Sequence, residues 1–94
     1  MLDISEIKKE FPILQTKIKG EPLCYLDNGA SAQKPICVIE AITKGYELEY
    51  ANVHRGLHYL SNLATEKFES VREKIKDFIC ASNSSEIVFT SGST

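Results

Sequence analysis

Glu86-Ile87-Val88-Phe89-Thr90-Ser91-Gly92-Ser93-Thr94 is the stretch on which the fold of this sequence turns. Ile87-Val88-Phe89 is a β-branched and aromatic run without a polar interruption, the pattern of a strand covered on both faces. Ser91-Gly92-Ser93-Thr94 follows with hydroxyls and a glycine, the chemistry of a turn whose backbone N–H groups can cradle an anion before a helix begins. A strand buried on both faces needs neighbours on both edges, because an isolated strand or hairpin is marginal in water. The run therefore implies a sheet whose other strands lie outside these 94 residues or come from another chain.

Working back from that stretch, Leu63, Phe68, Val71, Ile75, Phe78 and Ile79 recur at three- and four-residue spacing and predict a helix capped by Ser61 or Asn62 and ending near Cys80. Its other face (Glu66, Lys67, Glu69, Arg72, Glu73, Lys74, Lys76, Asp77) mixes signs and reads as solvated surface. Residues 81–85 form a turn cluster. Residues 51–62 carry Asn52, His54, Arg55, His58 and Tyr59 around Gly56 without helical or strand period, and ordered loops of that length are often functional. His54 and His58 stand four apart, but Gly56 lies between them and no third ligand is near, so histidines hydrogen-bonded in a packed loop are preferred to a metal pair.

Nearer the start, Asp3 with Glu6 forms a capping-box pattern for a helix that Pro12 ends. Thr16-Lys17-Ile18 against Leu23-Cys24-Tyr25 reads as a hairpin across Gly20. Asp27-Asn28-Gly29-Ala30-Ser31-Ala32 lets backbone approach a ligand closely, though a plain Asx turn explains it as well. A further helix spans about residues 35–50, with Pro35 in its first turn and Val38 or Ile39, Ile42, Tyr46 and Tyr50 on one face.

Composition excludes several classes. A net charge of -2, from 11 basic and 13 acidic residues, offers no field for nucleic acid or an anionic membrane. The amphipathic, early-acidic start is neither signal peptide nor membrane span, and three scattered cysteines (Cys24, Cys37, Cys80) fit buried thiols in a reducing compartment, so the expected location is cytoplasmic.

Several segments together resemble one family. Tyr25 to Pro35, Tyr50 to His58, Leu60-Ser61 with Ala64-Thr65-Glu66, and Glu86 to Phe89 with Gly92-Ser93-Thr94 look like the N-terminal portion of the Suf-type (group II) cysteine desulfurases, which are class V aminotransferases. The resemblance covers essentially the whole chain in the family's order. It implies an α/β fold, the N-terminal fragment of a fold-type I pyridoxal-phosphate transferase, incomplete as a domain. Residues 1–62 would be the N-terminal arm and part of the small domain, and 63–94 the start of the large cofactor-binding domain. The implied activity moves sulfur from L-cysteine to a persulfide for iron–sulfur cluster assembly, in a homodimer using pyridoxal 5'-phosphate. Thr94, with Ser93, would hold the cofactor phosphate. Asn28, Gly29 and Ala30 would line the substrate side, and His54 and Arg55 the mouth near the dimer partner. The sequence departs from the family's usual alanine at Gly29, and from its arginine and threonine at Ser91 and Ser93. The family's cofactor lysine and sulfur-carrying cysteine lie beyond Thr94, so the expectation is a fragment without activity of its own that binds the cofactor at most weakly. Two other readings stay open: a binding module complementing a separately encoded remainder, and a related class V enzyme such as selenocysteine lyase or kynureninase.

Overall fold

The computed structural model describes residues 1–93. They fall into two compact units, residues 1–47 and Leu48 onward. The expected division at 62/63 concerns the domains of a complete enzyme, which compactness within this stretch does not address.

The first unit opens on α1 (Ile4–Lys9). Asp3 caps it: the backbone N–H groups of Ser5 and Glu6 donate to its Oδ1 at 3.0 and 3.3 Å, satisfying donors that the first helical turn leaves free. Glu6 pairs forward with Lys9 at 2.7 Å, an exposed contact of small energetic weight. Phe11 leaves the helix in extended conformation ahead of Pro12, and a 3-10 turn, Pro12–Gln15, follows.

The expected hairpin is present with its second arm nearer the turn. Strands β1 (Lys17–Ile18) and β2 (Glu21–Pro22) pair antiparallel, Lys17 opposite Pro22 and Ile18 opposite Glu21. Lys19 (φ 52°) and Gly20 (φ 83°) are both left-handed, the two-residue turn whose twist matches the strands. Leu23 extends the pairing by donating its N–H to the Thr16 carbonyl at 3.1 Å.

Helix α2 (Ile36–Lys44) begins one residue after Pro35, and its first N–H donates to the Glu10 carbonyl at 2.8 Å. The helical stretch expected to about Tyr50 instead changes hydrogen-bond period at Gly45, becoming a π-helical turn over Gly45–Glu49.

The second unit is built on α3 (Tyr59–Phe78). It starts earlier than the sequence suggested, capped by neither Ser61 nor Asn62 but by His58, whose Nδ1 accepts the Ser61 N–H at 3.3 Å. At its other end Cys80 takes φ 59°, the Ala81 N–H donates to Lys76 at 2.9 Å and the Cys80 N–H to Asp77 at 3.2 Å. That pair of bonds is a Schellman ending with cysteine where glycine is usual. The turn cluster after it holds a 3-10 turn, Ser84–Glu86, with a full capping box between Asn83 and Glu86.

Ile87-Val88-Phe89 joins no ladder among the described residues. Its backbone is extended at Ile87 (φ -94°, ψ 115°), as a strand requires, but no partner strand is offered within these residues. Ile87 at 8% exposure and Ser61 at 0% are the only buried side chains among the described residues. All three cysteines are exposed, against the expectation of buried thiols, because the elements that carry them have little packed against them. The chain exposes 8121 Å², whereas two compact bodies of half this mass would together expose about 6,500 Å². No helix among the described residues is long and apolar enough to cross a membrane.

Candidate functional site

In the first unit, the small-residue segment after Leu26 is a closed turn. The Ala30 and Ser31 N–H groups both donate to the Asp27 carbonyl at 3.1 Å, and Asn28 Oδ1 accepts the Gln33 N–H at 3.0 Å. The Tyr25 hydroxyl crosses the turn to donate to the Ser31 carbonyl at 2.7 Å. Asn28, Gly29 and Ala30 are all exposed. A Cβ on Gly29 would meet no atom within 4 Å, so the alanine that the resembled family usually carries fits this backbone. Beside the turn lies a cavity of about 460 Å³, lined in part by Phe11, Leu14, Leu23, Tyr25, Leu26 and Asn28.

The second unit organises the loop before α3 around one hydroxyl. Ser61 Oγ donates to the Asn52 carbonyl at 2.5 Å and accepts the Gly56 N–H at 3.0 Å, while the Ser61 carbonyl accepts from Thr65 Oγ1 at 2.8 Å. Thr65 Oγ1 in turn accepts the His54 N–H at 2.9 Å. Gly56 is pressed so close that an added Cβ would lie 2.4 Å from both Cβ and Oγ of Ser61. His54 itself is left-handed (φ 69°), an unusual conformation for a residue with a side chain.

Both histidines are hydrogen-bonded within this loop and helix, as the sequence suggested. His54 Nε2 lies 2.7 Å from Glu69 Oε1, and since a carboxylate only accepts, the ring presents Nε2–H there. The His54 ring also meets Phe68 edge-on, with centroids 5.4 Å apart. Arg55, next in sequence, is exposed. No cluster of three or more metal-ligating side chains occurs among the described residues.

From Glu69 the network continues toward Ile87. Arg72 Nε lies 3.1 Å from Glu69 Oε2, an ion pair in distance although the Nε–H is not aimed at the oxygen. Arg72 Nη1 donates to the Ile87 carbonyl at 2.6 Å, and its guanidinium covers the rings of Phe68 and Phe89 at 5.5 and 5.6 Å. Phe68 and Phe89 meet edge-on at 5.0 Å. The run expected to pair as a strand is thus held by an arginine and an aromatic pair. Beyond it, Thr90 Oγ1 donates to the Gly92 carbonyl at 2.9 Å, and Ser91, Gly92 and Ser93 are exposed. Thr94, expected with Ser93 at the cofactor phosphate, lies outside the described residues.

Asn28, Gly29 and Ala30 belong to the first unit; His54, Arg55 and Ser93 belong to the second. Sequence reasoning gave Ser61 only a possible helix-capping role and Thr65 none of its own, and it placed Glu69 and Arg72 on a solvated face. Arg72, its side chain 22% exposed, lies over two aromatic rings instead. Its partners Glu69 and Ile87 stand on either side of it along the chain, and only the latter's fifteen-residue separation hides from helical spacing.

Comparison with known proteins agrees with this order of segments. The Aminotransferase class-V family model matches residues 24–94. A probable cysteine desulfurase of Halalkalibacterium halodurans is 52% identical over 93 residues, covering 99% of this chain and 23% of that protein. A cysteine desulfurase of Pectobacterium atrosepticum is 50% identical over 91 residues, covering 97% of this chain and 22% of that protein. Among solved structures, the apo cysteine desulfurase from Thermococcus onnurineus NA1 superposes with a TM-score of 0.76 at 40% identity, over 96% of this chain and 21% of that one. The chain therefore spans less than a quarter of the length of these relatives. Its elements are those of part of a fold-type I enzyme, and the chain belongs to the class V aminotransferase family.

Proposed function

We propose that these residues are the N-terminal part of a cytoplasmic, homodimeric cysteine desulfurase of the Suf type, which takes sulfur from L-cysteine, leaves alanine and passes a persulfide on for iron–sulfur cluster assembly. The observation that carries this reading is the match of 97–99% of the chain to cysteine desulfurases at 50–52% identity. Within such an enzyme, residues 1–62 form the arm and part of the small domain, and 63–94 open the cofactor-binding domain. Asn28, Gly29 and Ala30 line the substrate side, and His54 and Arg55 stand at the mouth.

Pyridoxal phosphate, when bound, supplies the electron sink for breaking the bond to sulfur. The donor set at the end of the chain suits the phosphate of that cofactor: exposed hydroxyls on Ser91 and Ser93, and a Gly92 backbone with open space around it. Ser93 and Thr94 would hold the phosphate oxygens by hydrogen bonds, and Arg55, exposed next to the left-handed His54, would offer its guanidinium to a substrate carboxylate. The lysine and cysteine of the reaction lie outside residues 1–94, so this stretch binds and orients without carrying the chemistry.

A second reading, a module that docks onto a separately encoded remainder, is favoured by the amount of apolar side chain left uncovered, such as Leu26 at 91%, Leu57 at 98% and Phe78 at 87% exposure. The complete protein, supplied with pyridoxal phosphate, is expected to release alanine from L-cysteine and to build a cysteine-bound persulfide. Release from selenocysteine but not cysteine, or cleavage of kynurenine, would move the assignment to a related class V enzyme.

A further inference from the structure

Glu69 links the two segments of the second unit that the proposed function uses, touching the first directly and reaching the second through Arg72, beside Phe68, whose ring meets both His54 and Phe89. Its Oε1 lies 2.7 Å from His54 Nε2, and its Oε2 lies 3.1 Å from Arg72 Nε, while Arg72 Nη1 holds the Ile87 carbonyl at 2.6 Å. The two oxygens of one carboxylate thus span from the loop that carries His54 and Arg55 to the segment that runs into Ser91–Ser93. His54 needs such support, because a left-handed backbone at a residue with a Cβ is strained and persists only where its surroundings hold it. Three contacts do so: its N–H on Thr65 Oγ1, its ring edge on Phe68 and its Nε2–H on Glu69. Arg55 is then fixed from both sides, by His54 before it and by Gly56, locked on Ser61, after it.

We propose that Glu69 is a positioning residue: by holding His54 with one oxygen and pairing in charge with Arg72 through the other, it sets the His54–Arg55 turn relative to the 87–93 segment. Glu69 acts through those two side chains and touches no substrate. This rests on the function proposed above, since it gives those segments their roles. Neither neighbour on the helix can substitute: Glu66 is exposed with no such pairing among the described residues, and Glu73 is taken up by Lys76 at 3.0 Å.

The test uses the complete protein with Glu69→Gln, which keeps the volume but removes the charge and one acceptor, and Glu66→Gln as a control on the same helix. Michaelis parameters with L-cysteine, and native-state hydrogen exchange of the His54 amide, are measured for each. In Glu69→Gln, KM rises about fivefold or more with kcat within about twofold, as expected when a positioning contact of charged groups is lost. The His54 amide exchanges about tenfold faster while amides in the middle of α3 do not change. In a His54→Gln background, Glu69→Gln raises KM by less than it does in the unsubstituted protein, because part of its effect runs through His54. Unchanged KM and unchanged His54 exchange overturn the proposal. So does a uniform acceleration across α3, which makes Glu69 a contributor to helix stability only. If the unsubstituted protein does not turn over L-cysteine, the functional reading falls, and the exchange of His54 still decides whether Glu69 positions the loop.

Discussion

Ser61 shows how much one small side chain decides. Its hydroxyl and carbonyl fasten Asn52, Gly56 and Thr65, and through Thr65 they fasten His54. Gly56 is the residue that makes this approach possible, because a Cβ there would sit 2.4 Å from Ser61, on atoms held by two hydrogen bonds and unable to swing away. Gly56→Ala is therefore expected to cost about 1–3 kcal/mol by overpacking. Gly29→Ala, with open space around it, should stay within about 0.5 kcal/mol. Thermal unfolding of the two variants of the complete protein checks this; equal midpoints would show that the loop relaxes around a methyl group. The need for glycine at position 56 was not legible in the sequence, since it depends on Ser61 folding back from the first turn of the helix. The pairing of the histidines was legible in kind: a polar, aperiodic loop with Gly56 between them argued for hydrogen bonds, though not for Glu69 as the partner.

At the scale of elements, local signals carried α1, the hairpin and the body of α3, because a cap, a turn pair and a 3.6-residue apolar face act over a few residues. The start of α3 escaped because its cap is a histidine ring, outside the usual set of capping side chains. Its end carries a left-handed Cys80 in a Schellman motif, so Cys80→Gly should stabilise the protein by about 1 kcal/mol, read as a rise in the unfolding midpoint; a fall would mean that the thiol packs in the complete protein. Near the same end, the Ser84 side chain and then Lys76 hold the Glu73 carboxyl below its ordinary 4.5, and Glu73 and then Asp77 hold Lys76 above its ordinary 10.5. A lowered carboxyl adds stability above pH 4.5 that is lost as pH falls through its folded value, and a raised ammonium adds stability below pH 10.5 that is lost as pH rises beyond it. Glu73 is exposed and Lys76 partly so, and both are solvent-screened, so the effect is local. The Ser84 and Lys76 amide resonances should hold steady between those limits and move on acidification with a midpoint below 4.5, a movement that Glu73→Gln abolishes. A midpoint at the ordinary value would remove the Ser84 contact from the account.

For the whole chain, the sequence spoke most clearly through what it could not satisfy. Ile87-Val88-Phe89 has the composition of a central strand, and the structure gives it an extended backbone, a buried Ile87 and no ladder among the described residues. The composition of the run was legible but its pairing was not, because strand pairing is not local, whereas the family pattern rests on segments read together. The same incompleteness appears as area: the chain exposes about 1,600 Å² more than two compact bodies of half its mass would, an amount in the range of a stable protein interface. The central proposal is that these residues are the N-terminal part of a desulfurase. Its most direct test is alanine release from L-cysteine, with pyridoxal phosphate, by this chain, by the Halalkalibacterium halodurans relative lacking its matching segment, and by the two co-expressed. The account predicts no alanine from either part separately and turnover from the pair that co-purifies; alanine from this chain by itself, or a stable pair that releases none, would contradict it.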